Sequence, residues 1–93
     1  MDFSTVHNVQ EKQVFEAVAE VASLHPELRK APDLLADVAC IALNRVQTRY
    51  IRNDLDFAFY QTETELLEND RQIAAAVEYA IGLVLQRSAV GGR

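Results

Sequence analysis

The chain has 93 residues, about half of them apolar and a quarter charged, which is typical of one small globular domain. Its net charge of −5 argues against binding to bulk nucleic acid or to an anionic membrane, because both need a basic protein surface. The single cysteine excludes an intramolecular disulfide, and no apolar run suits a signal peptide or a membrane span, so we expect a cytoplasmic protein.

The scarcity of glycine (three) and proline (two) favours an all-α fold. We predict a single domain over residues 1–93 with three to four helices and flexible segments at 1–7 and 88–93. A chain of this length buries only about 60–65% of its unfolded surface. We therefore expect a homodimer, in which a second subunit completes the core.

Apolar residues at helical spacing predict a first helix over residues 9–24, with Val14, Val18 and Val21 on one line. Asn8, followed three residues later by Glu11, is typical of a helix N-cap. Pro26 ends the helix, because the residue before a proline disfavours the helical conformation. Residues 25–32 form a polar connection.

A second helix is predicted to begin at Asp33 and to be apolar around most of its circumference, which is typical of a buried central helix. We expect helices on two sides, or a partner subunit, to cover it. Cys40 is predicted to be a small buried hydrophobic residue. Asp37 and Asn44 share one face, where they either line a pocket or dimer seam, or serve only as a helix cap and an ion-pair partner.

Residues 47–53 are predicted to form a turn and an extended piece, and residues 54–60 fit either a strand or a short helix. The aromatic residues Phe57, Phe59 and Tyr60 are expected in the core or at a dimer contact. Thr62 and Glu65 form a capping box for a last helix that ends near residue 87. The apolar stripe of this helix contains Leu66, Ile73, Val77, Ala80, Ile81 and Val84, with Leu67, Ala74 and Leu85 beside it.

Three arginines follow the second helix at spacings of four and three residues, namely Arg45, Arg49 and Arg52, with Tyr50 between them. Arginine forks onto phosphate or onto guanine O6 and N7, and tyrosine stacks on bases. The alternative is that these arginines interact favourably with the negative end of the helix dipole and pair with nearby carboxylates. The sequence offers no nucleophile–base pair and no metal-ligand spacing, so we expect no enzyme activity, no cofactor and no metal.

Residues 37–50, D-V-A-C-I-A-L-N-R-V-Q-T-R-Y, resemble the late competence protein ComFB family, whose members carry D-V-x-x-x-A-L-N, a short link and R/K-Y-V. The matching residues are Asp37, Val38, Ala42, Leu43, Asn44 and Tyr50. The first helix, the D-x-A-F-Y piece and the last helix fit too, so the resemblance covers about residues 6–87. Family members commonly have Pro-Pro where this chain has Gln47-Thr48, and the namesake's zinc-site-like cysteine cluster is missing from residues 26–36, so we predict no zinc.

The resemblance implies a small helical bacterial homodimer without catalytic activity. Some family members are receptors for cyclic di-GMP or cyclic di-AMP, and others are linked to competence and type IV pili. On this basis the expected ligand-binding residues are Arg45, Arg49, Tyr50, Arg52, Asn44, Asp54 and Asp56, with either aspartate accepting hydrogen bonds from guanine. Motility is a further expected output, through an unidentified effector protein. The alternative is a helical protein–protein adaptor dimer that binds no small molecule.

Overall fold

A computed structural model describes the backbone of residues 1–91 and the side chains of residues 1–88. Its elements are β1 (His7–Asn8), α1 (Gln10–Ala22), α2 (Pro26–Arg29), α3 (Pro32–Leu43), β2 (Tyr50–Ile51), α4 (Asp54–Tyr60) and α5 (Glu63–Gly91). This mainly helical architecture confirms the all-α prediction in its broad form. The flexibility expected at 1–7 and 88–93 stays a prediction; His7 lies in β1 and α5 continues to Gly91, whereas Gly92 and Arg93 lie outside the described residues.

Helix α1 packs its predicted line of valines into the core. Val14 and Val18 are buried, whereas Phe15 on the adjacent line stays half exposed. The helix begins one residue later than predicted, because Asn8 pairs with Tyr50 in the small antiparallel sheet. The Asn8 side chain still satisfies one of the free N–H groups at the start of the helix, because its Oδ1 accepts the N–H of Gln10 at 3.2 Å.

The connection between α1 and α3 contains a short helix that the sequence analysis missed. Proline supplies the first residue of both α2 and α3, where its missing N–H costs nothing. Asp33 therefore lies in the first turn of α3. The prediction that Asp33 caps this helix is wrong. Leu28 of α2 is completely buried and anchors the connection to the core.

Helix α3 lies in contact with α5, α1 and α2, so it is central as predicted. Within one subunit its neighbours do not cover it all round, and the cover expected from a partner subunit stays a prediction. Only Val38 and Ala42 are fully buried, while Cys40 is exposed, and so are Asp37 and Asn44. The neighbouring helices cover one side of α3. The amino-acid composition of the helix could not predict which side that is.

Helix α4 resolves the ambiguous segment as a short helix, capped by the Asn53 side chain, which accepts the N–H groups of Leu55 and Asp56. None of its residues is buried, so its aromatic residues do not join the core of the subunit, and their place at a dimer contact stays a prediction. Phe59 is 80% exposed and Tyr60 78%. Their rings pack edge to face with centroids 5.2 Å apart.

Helix α5 begins as predicted, with the Thr62 hydroxyl accepting the N–H of Glu65 at 3.1 Å. The predicted stripe is buried from the middle of the helix onward. Its buried residues are Ile73, Val77, Ala80, Ile81 and Val84. In its first turns Leu66 and Leu67 are exposed, contrary to the prediction. An apolar segment from α4 into α5 is thus left uncovered within the subunit.

Candidate ligand-binding site

The link between α3 and α4, which carries most of the predicted ligand-binding residues, is fixed by the N-terminal strand. His7 pairs with Ile51, and Asn8 pairs with Tyr50. The Asn8 side chain also accepts the N–H of Arg49 at 3.0 Å. A short strand pair and one amide thereby set the backbone position of the middle arginine.

A buried amide network holds the start of the same link. Gln10 is 1% exposed, and its Nε2 donates to the Gln47 carbonyl at 3.0 Å and to Asn69 Oδ1 at 2.7 Å. Asn69 in turn donates to Gln13 Oε1 at 2.7 Å. The Oε1 atom of Gln10 has no partner. The network joins α1, α5 and the link through charge-free hydrogen bonds in a buried setting, where such bonds are strong.

Two of the three predicted arginines lie against aromatic rings. The Arg45 guanidinium carbon is 3.8 Å from the centroid of the Tyr79 ring on α5. The Arg49 guanidinium carbon lies 5.5 Å from the centroid of the Phe57 ring on α4. These distances fit cation–π contacts, which hold guanidinium groups in place without neutralising their charge. Both arginines therefore keep donors for an anionic ligand.

A polar pocket of about 260 Å³ opens beside the link, between α1 and the start of α5. Arg49 is its cationic residue, and Glu65 and Glu68 supply carboxylates on the α5 side. The remaining lining residues are Gln10, Gln47, Thr64, Asn69 and Gln72. Ligand pockets usually measure about 300–1,000 Å³, so this pocket suits one part of a ligand, with the rest lying outside it.

Glu68 is held by a neighbour on its own helix. Arg71 donates to both of its carboxylate oxygens, at 3.1 and 2.6 Å, and this hydrogen bonding lowers the pKa of Glu68. The carboxylate is thereby kept ionised at the edge of the pocket. It can accept hydrogen bonds from a ligand that carries N–H donors.

Asp54 does not join Arg49 at this pocket but pairs with His7 on the other side of the link. His7 Nε2 lies 2.8 Å from Asp54 Oδ1, and His7 Nδ1 lies 2.9 Å from the Thr5 carbonyl oxygen. Two acceptors can be satisfied together only when both ring nitrogens carry hydrogen, as in the imidazolium form. The bond to Thr5, followed by that to Asp54, raises the pKa of His7.

The other predicted residues, in the link and in α4, are exposed. Tyr50 is 68% exposed in β2, and Arg52 and Asp56 are also exposed. Asn44 acts as a helix-end cap, since its Nδ2 donates to the Cys40 carbonyl at 2.9 Å. For Asn44 the structure supports the interpretation as a cap.

The sequence analysis missed the amide network and the aromatic partner of Arg45. One signal was present for the network, because Gln10 lies one helical turn before Val14, and Asn69 one turn before Ile73. A polar residue in line with an apolar stripe indicates a buried polar contact. No sequence signal connects Arg45 with Tyr79, because that contact depends on how α3 packs on α5.

Two negative observations apply to the part of the chain that the structure describes. No group of three or more histidine, cysteine, aspartate or glutamate side chains there is placed to hold a metal ion. None of the helices within those residues combines the length and the hydropathy needed to cross a bilayer.

The protein is thus small and helical. Its polar pocket, which Arg49 lines, lies beside a link that the β1–β2 strand pair holds in place. The sequence matches the family model described as late competence development protein ComFB over residues 7–88. The chain therefore belongs to the ComFB family. No curated protein and no solved structure is significantly similar to it.

Proposed function

We propose that the chain is a non-enzymatic signalling protein of the bacterial cytoplasm that binds a cyclic di-nucleotide, cyclic di-GMP or cyclic di-AMP. It acts as a homodimer, without zinc or another cofactor, and passes the signal to an effector protein in competence, type IV pilus function or motility. Family membership supports a role related to late competence.

The observation that carries this proposal is the position of Arg49 at the polar pocket. Its guanidinium lies near Phe57, and Glu65 and Glu68 line the same pocket. In this pocket the arginine donors suit guanine O6 and N7, and the carboxylates suit the guanine N1–H and N2–H groups. Arg45 and Arg52 on the same link would contact the phosphates, and the exposed Tyr50 would stack on a base.

Calorimetric titration of single alanine variants tests this assignment. We expect Arg49→Ala to weaken binding about 10- to 100-fold, because a charge-assisted hydrogen bond contributes about 1.5–3 kcal/mol. Arg29→Ala is the matched control, since Arg29 is exposed on α2 and does not line this pocket. Equal affinities for the Arg49→Ala variant and the unmodified chain would rule out this pocket.

One observation favours the alternative function, a protein–protein adaptor dimer without a small-molecule ligand. Large apolar side chains are exposed along one continuous stretch of chain from α4 into α5. They are Leu55, Phe59, Tyr60, Leu66 and Leu67, with exposed fractions of 46–80%. A seven-residue helix with no buried residue is marginal by itself, so contact with a second subunit would stabilise α4.

Calorimetry on the unmodified chain separates the two functions, and light scattering on Phe59→Ser and Leu67→Ser variants tests whether the dimer uses this surface. An adaptor dimer that uses this surface becomes monomeric in these variants, and neither cyclic di-nucleotide produces heat with the unmodified chain. A receptor gives heat with the unmodified chain. Serine is chosen because it removes apolar area at exposed positions without adding charge.

A further inference from the structure

A surface of exposed apolar side chains runs from α4 into the first turns of α5. We call it the α4–α5 surface, and it comprises Leu55, Phe59, Tyr60, Leu66 and Leu67. Only two residues separate the two helices, so these side chains lie on neighbouring elements. Apolar surfaces with a polar rim are typical of sites that contact another protein. The charged residues around this surface indicate which kind of protein that is.

Carboxylates flank the leucines of this surface at both ends along α5. Glu63 precedes Leu66 and Leu67 by three and four residues. Asp70 follows the same two leucines by four and three residues. Side chains at these spacings are neighbours on the surface of a helix. An acidic group therefore lies one helical turn away at each end of the leucine pair.

The aromatic residues of α4 have the same arrangement on one side. Asp56 precedes Phe59 and Tyr60 by three and four residues. Asp56, Glu63 and Asp70 are all exposed, and none of them forms an ion pair with another side chain among residues 1–88. Their negative charges are therefore available to a partner.

The region as a whole is acidic. Residues 53–70 contain six aspartate and glutamate residues and no lysine, arginine or histidine. The cations that contact these residues or adjoin them are His7, Arg49, Arg52 and Arg71. Even if each of these four cations offsets one carboxylate, two carboxylates remain in excess. An acidic surface attracts a basic partner and repels an acidic one.

A second copy of the chain matches this surface poorly. In a two-fold symmetric dimer the same surface of both subunits meets, so Asp56, Glu63 and Asp70 would share one interface with their own counterparts. Like charges across an interface cost free energy, and residues 53–70 supply no cation to pair with them. A better match is a partner that carries lysine or arginine beside an apolar face.

We propose that the α4–α5 surface is the docking site of the effector protein, and that the effector presents an amphipathic helix whose apolar face is bordered by lysine or arginine. Helices recognise apolar surfaces between helices in this way in many complexes. The existence of an effector is taken from the proposed function, on which this docking site rests. None of the five apolar residues lines the pocket beside Arg49, so docking and nucleotide binding can be tested separately.

The test uses two amphipathic peptides that differ only in charge. Both have leucines at helical spacing, and the remaining positions are lysine in one peptide and glutamate in the other. Each peptide is titrated into the full chain at about 0.15 M salt, which screens charges more than about 8 Å apart, and binding is followed by amide chemical shifts. We expect the lysine peptide to bind, with shifts at residues 54–67, and the glutamate peptide to bind at least tenfold more weakly.

Two substitutions, each with a matched control, locate the site. Leu67→Ser should weaken binding of the lysine peptide about tenfold, because one leucine side chain is no longer buried, whereas Leu24→Ser, at an exposed leucine after α1, should leave it unchanged. Asp70→Lys should weaken the lysine peptide several-fold and strengthen the glutamate peptide. Glu20→Lys makes the same change in net charge at an exposed position of α1 and should alter neither affinity as much as twofold.

Nucleotide titration of the same variants keeps the two proposals apart. Leu67 and Asp70 do not line the pocket beside Arg49, so both variants should bind a cyclic di-nucleotide as the unmodified chain does. Peptide binding with this pattern, in a chain that binds no nucleotide, would support the docking site and contradict the receptor function.

Three results would overturn the docking site. One is the absence of peptide-induced shifts in α4 and the first turns of α5. Another is equal binding of the two peptides, or equal weakening by Asp70→Lys and Glu20→Lys, since attraction would then depend only on net charge. The last is a dimer that becomes monomeric in Leu67→Ser, because a second copy of the chain would then occupy the surface.

Discussion

Replacement of Asn69 by alanine tests whether the buried amide network holds α1, α5 and the arginine-bearing link together. Asn69 is 8% exposed, accepts from Gln10 at 2.7 Å and donates to Gln13 at 2.7 Å. Each bond contributes about 1 kcal/mol net, and a buried partner left incompletely paired adds part of a further penalty. We expect the free energy of unfolding to fall by about 2–3 kcal/mol.

Equilibrium urea unfolding at one fixed protomer concentration measures this loss, since self-association would make stability depend on concentration. In a domain of this size the melting temperature should drop by about 8 °C or more. Gln86→Ala, at an exposed position of α5, is the control and should stay within about 0.5 kcal/mol of the unmodified chain.

A double-mutant cycle with Gln10→Ala isolates the bond between the two amides. We expect a coupling energy of about 1 kcal/mol, because the double variant loses the Gln10–Asn69 bond only once. Additive effects of the two substitutions, with unchanged urea dependence, would refute the reasoning that the amides act as one network.

Three further predictions concern stability. Leu28→Ala should cost about 2–5 kcal/mol in chemical denaturation, because Leu28 is completely buried, and a cost under about 1 kcal/mol would contradict its place in the core. Gly82→Ala should stabilise the chain by about 0.5–1 kcal/mol, since an added Cβ meets no atom within 4 Å in α5, and a lower melting temperature would contradict that open setting. The raised pKa of His7 means that its contribution to stability is present below its ordinary pKa of about 6.5 and is lost as pH rises through the folded-state value. Asp54→Asn should therefore lower the His7 pKa in an NMR titration, and an unchanged His7 titration would show that the pair does not form.

The positions of the long helices could be predicted because local signals determine them. The valine line of α1, the prolines of the connection and the Thr62 cap each act over a few residues. Helix α2 was not predicted because a four-residue helix that begins at one proline and ends shortly before the next looks like a turn. The start of α3 was misplaced for a related reason, since Pro32 is a better first helical residue than a connector.

Burial was predicted less well, because it depends on which faces meet. The apolar composition of α3 predicted a helix covered by neighbouring helices or by a partner subunit, and within the subunit the predicted buried residue Cys40 is exposed. Leu66 and Leu67 have helical spacing and apolar side chains, yet they are exposed, and so are Phe59 and Tyr60 of α4. An apolar pattern thus showed which residues can be buried, but not which neighbouring element would cover them.

The candidate site was predicted in part. The arginine cluster was visible in the sequence, and the structure places Arg49 at a pocket and Arg45 on Tyr79. The position of Asp54 could not be foreseen, because its pairing with His7 depends on a strand contact between segments that are far apart in sequence.

Calorimetric titration of the unmodified chain with cyclic di-GMP and with cyclic di-AMP, accompanied by light scattering for its mass, tests the central claim most directly. The account predicts micromolar or tighter binding of one of the two nucleotides, at one site per subunit or per dimer, by a chain with the mass of a dimer. A folded chain that gives no heat with either nucleotide would contradict the receptor function.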